Sequence, residues 1–109
     1  MILLIDDFRE FKDGREAIIA RSSAAGISEL AHHKKLSELW LDFDLGGTDD
    51  IIPVLRYLLE AYREQQAPTI GQVYIHTSSE SAVQMMSLFL KAAGIANPIR
   101  AYADEHFII

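Results

Sequence analysis

Short apolar runs alternate along this chain with longer amphipathic stretches. The clearest runs cover residues 2–5, about residues 38–42, and residues 71–75. Their length and their aliphatic content predict buried strands. Two further short runs, about residues 17–20 and 99–102, predict two more strands.

The stretches between these runs repeat apolar residues every three or four positions, which predicts helices. One helix follows a loop at residues 45–48 and ends near Gln66, with Asp49 or Asp50 as its N-cap. Its apolar stripe consists of Ile51, Ile52, Leu55, Leu58, Leu59 and Tyr62. Another begins after Ser79 and ends before Gly94, and its stripe consists of Val83, Met86, Leu90 and Ala93.

A third helix is predicted after Ser22 or Ser23, either of which can serve as its N-cap. The pattern there is weaker, because Gly26 inside a helix costs about 1 kcal/mol relative to alanine.

Strands that alternate with helices indicate an α/β fold, a three-layer sandwich with a five-stranded, mostly parallel sheet. The 109 residues are expected to form one domain, covering 1–109. Residues 7–16 are too few for a full crossover helix with its turns, since such connections take about 10–12 residues. We therefore expect a loop there, with at most one helical turn, and a first crossover helix that is reduced or missing. The apolar residues 107–109 are expected to dock on the body of the protein or on a partner.

Composition narrows the class of protein. The chain has no cysteine, which excludes disulfides and thiolate metal sites. Its formal net charge of −6 argues against an extended nucleic-acid surface, although a site for one nucleotide or one RNA end is compatible with it. No run approaches the roughly 20 apolar residues of a membrane span. These features favour a cytoplasmic protein with no membrane contact.

Acidic residues stand where predicted strands end. Asp6 and Asp7 follow the first run, and Asp42 and Asp44 follow the third strand. Carboxyl ends of parallel strands meet at one edge of the sheet, where such folds place their sites. Four carboxylates there repel one another unless a cation or a shared proton offsets their charge. They are candidate ligands for a hard cation such as Mg²⁺; the alternative is that some of them cap helices or face water.

Polar residues with other chemistry meet the same edge. His76 ends the fourth strand and can carry a proton near neutral pH, or it can simply bond to backbone. Thr77 and Ser78 precede a helix start, which can hold phosphate oxygens as well as cap the helix. Arg9 can clamp a phosphate or pair with the carboxylates. Gly46 can let its loop approach a ligand, although a plain turn explains it equally well.

Three motifs together resemble the cyclic-phosphate-processing branch of the receiver domains of two-component signalling. They read Ile5-Asp6-Asp7-Phe8-Arg9, Asp42-Phe43-Asp44-Leu45-Gly46-Gly47, and His76-Thr77-Ser78-Ser79 with Met86 downstream. The resemblance extends from residue 2 to about residue 93. The family pattern has histidine where this chain has Phe43, and asparagine where it has Ser79. The lysine that ordinary receivers carry after their fifth strand is also missing, which disfavours phosphoaspartate signalling.

The resemblance implies a metal-dependent phosphoesterase that processes a cyclic phosphate, either the 2′,3′-cyclic end of RNA or a cyclic nucleotide. The expected cofactor is a divalent cation, Mg²⁺ or else Mn²⁺, held by Asp6, Asp7, Asp42 and Asp44. The expected catalytic residues are His76, Asp42 and Asp7, and the expected phosphate-binding residues are Thr77, Ser78, Arg9 and Gly46. The alternative is a catalytically inactive receiver-like module that acts through protein contacts. A homodimer or a protein partner is compatible with either hypothesis.

Overall fold

The computed structural model describes residues 1–108, which form a five-stranded parallel sheet, a two-stranded antiparallel ribbon and four helices. In chain order the elements are β1 (Ile2–Ile5), β2 (Glu10–Phe11), β3 (Ile18–Ala20), α1 (Ser23–His32), β4 (Lys35–Leu41), α2 (Ile52–Arg63), β5 (Thr69–Ile75), α3 (Glu80–Ala92), β6 (Ile99–Arg100), α4 (Ala103–His106) and β7 (Phe107–Ile108). The sheet order is β3-β1-β4-β5-β6. None of the helices among these residues is long and apolar enough to cross a membrane.

The two faces of the sheet are covered differently. Side chains alternate along a strand, so Ile5, Leu41 and Ile75 face one way and join a core with α1, α2 and α3. Leu4 and Trp40 face the other way and join a smaller cluster. The fold is the predicted receiver-like α/β sandwich, and its third layer is thin.

That third layer is the ribbon of β2 and β7, together with α4. The Phe11 ring lies 4.9 Å from the Phe107 ring and 5.1 Å from the Trp40 ring. The sequence predicted a loop over residues 7–16, and in the structure two of these residues pair with the C-terminal tail instead. Among the described residues no helix links β1 and β3, which confirms the missing first crossover helix. The tail therefore docks on the body as far as Ile108; Ile109 lies outside the described residues.

Helix α1 packs unusually close to β1. Ser22 is its N-cap, as predicted, and accepts a hydrogen bond from the Ala25 backbone N–H at 3.1 Å. A Cβ at Gly26 would lie 2.6 Å from Ile5 Cδ1. The glycine that weakens the helix pattern is therefore required by the packing of helix on strand.

Element ends depart from the prediction by a few residues. Strands β4 and β5 begin earlier than predicted, β6 is shorter, and α2 ends at Arg63 rather than near Gln66. The predicted N-cap of α2, Asp49 or Asp50, is wrong: Ile51 occupies that position, and its side chain makes no capping hydrogen bond. Asp50 Oδ1 accepts from the Ile52 N–H at the start of α2, whereas Asp49 accepts from Ser23 N and Oγ at the start of α1.

Candidate functional site

Asp6, Asp42 and His76 form one row at the carboxyl edge of the sheet. Each residue directly follows its strand. The backbone hydrogen bonds between neighbouring strands continue one residue beyond the strand ends. The Asp42 N–H donates to Ile5 O at 3.2 Å, and the His76 N–H donates to Leu41 O at 3.0 Å. Because side chains alternate, all three residues lie on the face opposite the three long helices. Their ligand atoms lie within 4.8 Å of one another, and all three residues are buried.

The carboxylate of Asp6 is saturated with hydrogen bonds. Oδ1 accepts from the backbone N–H of Phe8 at 3.0 Å and of Arg9 at 2.9 Å. Oδ2 accepts from His76 Nε2 at 2.9 Å and from Arg9 Nη1 at 3.2 Å. Burial by itself raises the pKa of Asp6, but the hydrogen bond from His76 and those from the backbone outweigh it and hold the pKa well below its ordinary value. Asp6 is therefore a fixed anion.

Asp42 shares the guanidinium of Arg9 with Asp6. Arg9 Nη1 lies 3.1 Å from Asp42 Oδ2, and the Phe43 N–H donates to Asp42 Oδ1 at 2.8 Å. Burial raises the pKa of Asp42, and the neighbouring charge of Asp6 adds to this effect. The charge repulsion expected from the sequence is thus offset at this point by a side chain of the protein itself.

His76 faces into the protein rather than toward solvent. Its side chain has no exposed surface, and its ring centroid lies 4.7 Å from that of Phe107. Nε2 is engaged with Asp6, and Nδ1 has no protein hydrogen-bond partner. In this arrangement His76 positions Asp6. For it to act on a bound ligand, as the sequence suggested, Nε2 must first leave Asp6.

The other predicted carboxylates border an open pocket beside this buried row. The pocket, which we call the acidic pocket, has a volume of about 220 Å³. Its walls are Asp7, Phe8, Arg9, Asp42, Asp44, Thr77 and Ser78. Asp7 is half-buried and Asp44 is exposed. The structure therefore brings Asp7, Asp42 and Asp44 to one pocket, while Asp6 lies behind it.

Gly46 does not line the acidic pocket, but its lack of a side chain leaves room for Asp7, which does. Its φ is +87°, in the left-handed region that favours glycine. A Cβ there would lie 3.0 Å from Asp7 Oδ2. The Gly46 N–H also donates to Asp44 Oδ1 at 3.0 Å. Gly46 therefore acts on the site through the two carboxylates rather than through direct contact with the pocket.

The carboxylate oxygens of the acidic pocket are suitable ligands for a hard cation. Mg²⁺ takes oxygen ligands, commonly one or two carboxylates, and keeps several waters. Asp7, Asp42 and Asp44 offer such oxygens at an open pocket, whereas Asp6 does not line the pocket and each of its oxygens already accepts two hydrogen bonds. At the centre of the buried group of Asp6, Asp42 and His76, an ion would have to displace Arg9. Of the four carboxylates predicted as ligands, Asp6 is thus the least suited to direct coordination.

The residues between β5 and α3 differ in their burial and in their role at the start of the helix. Ser79 caps α3, as predicted, and its Oγ accepts from the Ala82 N–H at 3.3 Å. Thr77 is buried, and its Oγ1 accepts from the Ser79 N–H at 3.4 Å. Ser78 is exposed. Thr77 and Ser78 line the acidic pocket.

Phe43, one of the two residues that depart from the family pattern, turns away from the pocket. It is half-buried and packs against the core beneath the helices. It does not appear among the residues that line the acidic pocket. Since strand-end side chains alternate, the neighbour of Asp42 faces the helices.

A second cavity, which we call the arginine cavity, was missed by the sequence reasoning. Its volume is about 410 Å³, and it shares Arg9, Thr77 and Ser78 with the acidic pocket. Arg100 and Tyr102 also line the arginine cavity. The signal in the sequence is the end of the fifth predicted strand, residues 99–102, because that end lies at the same edge of the sheet.

Comparisons with known proteins give one match. A family model described as the cyclic-phosphate processing receiver domain matches residues 1–92. The match includes both acidic strand ends, Arg9 and the His76-Thr77 strand end, and it stops before β6. No curated protein and no solved structure matches the chain.

Proposed function

The chain belongs to the cyclic-phosphate processing receiver domains, and on that premise we propose that it is a divalent-cation-dependent phosphodiesterase that opens a cyclic phosphate. The reaction adds water to phosphorus and breaks one P–O ester bond, and the departing oxygen takes a proton. The substrate is a 2′,3′-cyclic RNA end or a cyclic nucleotide. The observation that carries the proposal is the acidic pocket, where three carboxylates meet an arginine and two hydroxyl side chains.

The charges at the pocket suit this chemistry. Asp7, Asp42 and Asp44 would hold Mg²⁺ or Mn²⁺, which when bound polarises phosphoryl oxygens and lowers the pKa of a coordinated water. Arg9 and the hydroxyl group of Thr77 lie on the same wall and can donate to phosphate oxygens. Donors fixed before the substrate arrives stabilise developing charge without having to reorganise.

Two residues act from behind the pocket in this proposal. His76 Nε2 hydrogen-bonds to Asp6 Oδ2, and Asp6 in turn accepts hydrogen bonds from the backbone N–H and the guanidinium of Arg9. This chain of hydrogen bonds fixes the donor that faces the phosphate. Direct proton transfer by His76 at the departing oxygen remains part of the proposal only if its ring turns away from Asp6.

The test is hydrolysis of a nucleoside 2′,3′-cyclic phosphate, followed by ³¹P NMR with Mg²⁺, with Mn²⁺ and with EDTA. We expect turnover with metal and none with EDTA. Replacing Asp42 or Asp7 by asparagine should lower the rate by at least about 100-fold, the loss typical of an electrostatic group at the reacting centre. Glu60→Gln, which removes one exposed carboxylate of α2, is the matched control and should retain the wild-type rate.

Unchanged turnover in EDTA, or a wild-type rate in Asp42→Asn, would overturn the proposal. Paramagnetic broadening by Mn²⁺ is an independent check. It should concentrate on amides at residues 6–9, 42–47 and 76–80.

A second function has one observation in its favour. Arg9 already supplies a positive charge between the two buried carboxylates. A domain that binds a phosphate-bearing ligand or a protein partner without turnover needs no more than this. Binding of a cyclic phosphate with no hydrolysis under any metal condition would support this alternative over the enzyme.

A further inference from the structure

The arginine cavity differs in charge from the acidic pocket beside it. Its walls carry the side chains of Arg9 and Arg100, against the single acidic residue Asp104. Its volume of about 410 Å³ falls within the range of small-molecule sites. Because the two spaces share Arg9, Thr77 and Ser78, a ligand whose phosphate meets that wall can extend into the arginine cavity.

Unused hydrogen-bonding capacity concentrates at this cavity. Three buried side-chain nitrogens in residues 1–108 have no protein partner: Arg9 Nε, His76 Nδ1 and Arg100 Nε. All three belong to residues that line the arginine cavity. Buried polar groups in native proteins are nearly always paired, and exceptions call for a specific explanation. These nitrogens have almost no accessible surface, so a ligand could pair with them only after the side chains shift.

An exposed aromatic ring stands at the same place. Tyr102, which follows β6 as the N-cap of α4, is 54% exposed. The Arg100 guanidinium lies 4.5 Å from the centroid of the Tyr102 ring, and it also pairs with Glu80 at the start of α3. The register pairs Ile75 with Arg100, which brings Tyr102 level with Thr77 at the carboxyl edge. An ordered aromatic ring at a ligand-sized cavity is a surface on which a base can stack.

We propose that the arginine cavity is the nucleoside subsite of the cyclic-phosphate site, with the base stacked on the face of Tyr102 that Arg100 leaves free and the phosphate at the wall of Arg9, Thr77 and Ser78. This inference rests on the proposed function, and it goes further by placing the base of the substrate at Tyr102. Base–aromatic stacking tolerates any base. The family match ends at residue 92, so Arg100 and Tyr102 belong to a part of the chain that the family model does not cover.

The test uses two probes that cannot be hydrolysed as cyclic esters, guanosine 3′-monophosphate and glycerol phosphate. Affinities are measured by ¹H–¹⁵N NMR titration, with Mg²⁺ and with EDTA. The nucleotide should bind at least about fivefold more tightly than glycerol phosphate, since stacking of one base is worth about 5- to 150-fold. A nuclear Overhauser contact between the base and the Tyr102 ring should accompany binding.

Variants separate stacking from simple surface burial. Tyr102→Leu should lower the nucleotide affinity by about 5-fold or more, and Tyr102→Phe, which keeps the ring, should recover most of it. The control is Leu88→Ala, which removes a 69% exposed apolar side chain of α3 outside the cavity and should leave the ratio of the two affinities unchanged.

Equal affinity for the two probes, or an unchanged nucleotide affinity in Tyr102→Leu, would overturn the subsite. Cyclic-phosphate hydrolysis is scored separately. Hydrolysis without a nucleoside preference removes the subsite and leaves the proposed function intact. Base binding at Tyr102 without hydrolysis supports the subsite and removes the enzymatic proposal.

Discussion

Replacing Arg9 by methionine removes the positive charge that Asp6 and Asp42 share. Arg9 Nη1 lies 3.2 Å from Asp6 Oδ2 and 3.1 Å from Asp42 Oδ2. The side chains of the two aspartates are 0% and 9% exposed, and that of Arg9 is 20% exposed, so solvent screens these pairs little. Methionine keeps an unbranched apolar stem of similar length. The Arg9 backbone N–H still donates to Asp6 Oδ1 in this variant.

The expected loss in the free energy of unfolding follows from what each carboxylate retains. Removing one partner of a buried ion pair costs about 3–5 kcal/mol. Asp6 keeps His76 and two backbone N–H groups, whereas Asp42 keeps the Phe43 N–H. Most of the loss in the free energy of unfolding should therefore come from the unpaired charge of Asp42. We expect a loss of about 3 kcal/mol, which a domain with a total stability of about 5–15 kcal/mol survives.

Urea denaturation at neutral pH in EDTA measures this loss without a cation that could replace the guanidinium. In the double variant Arg9→Met/Asp42→Asn, the unpaired charge disappears while the oxygen that faces Phe43 N–H remains. Its loss should therefore be smaller than the sum of the two single losses by about 1–3 kcal/mol. Arg56→Met, on the exposed face of α2, is the control and should change stability by less than about 0.5 kcal/mol.

A loss below about 1 kcal/mol in Arg9→Met, or strict additivity in the double variant, would refute this reasoning. The repulsion between the buried carboxylates would then have to be relieved by a shared proton rather than by the guanidinium.

Three further predictions concern the scaffold, and urea denaturation tests each. Gly26→Ala should destabilise the protein, because overpacking against Ile5 at about 1–3 kcal/mol exceeds a helix-propensity gain of about 1 kcal/mol; adding Ile5→Val should recover part of the loss, and a stabilised single variant would contradict the packing argument. Phe107→Ala should cost about 3–5 kcal/mol and change the near-ultraviolet dichroism of the one tryptophan; an unchanged spectrum would show that the tail is not docked in solution. Hydrogen bonds from Ser23 lower the pKa of Asp49 below its ordinary value of 3.8. The stability that ionised Asp49 contributes should therefore be present above pH 3.8 and lost as the pH falls below that value. Asp49→Asn should weaken that acid dependence, and identical profiles would contradict the assignment.

Much of the sheet could be predicted from the sequence because its strands are local patterns. An apolar run ends at Asp6, another at Asp42 and a third at His76, and parallel pairing then places those ends at one edge. Capping is similarly local, as Ser22 and Ser79 show. The ends of strands were less predictable. Strand β4 extends back to Lys35, because pairing with its neighbours decides how far a strand continues.

The site required contacts between residues far apart in the chain. The pairing of Phe11 with Phe107 closes the face that lacks a crossover helix, and no local pattern encodes a partner 96 residues away. Whether Arg9 pairs with the carboxylates likewise depended on Asp42, which follows another strand.

The sequence by itself determined the fold class and the row of Asp6, Asp42 and His76, because hydrophobic periodicity and strand ends are properties of neighbouring residues. Only the tertiary structure decided how the charge of that row is offset and which cavity adjoins it. Arg9 lies between the two carboxylates and Arg100 stacks on Tyr102 because separate strands bring them to one edge. Burial there makes an unpaired charge costly, so the partners that folding brings into reach fix the protonation and the shape of the site.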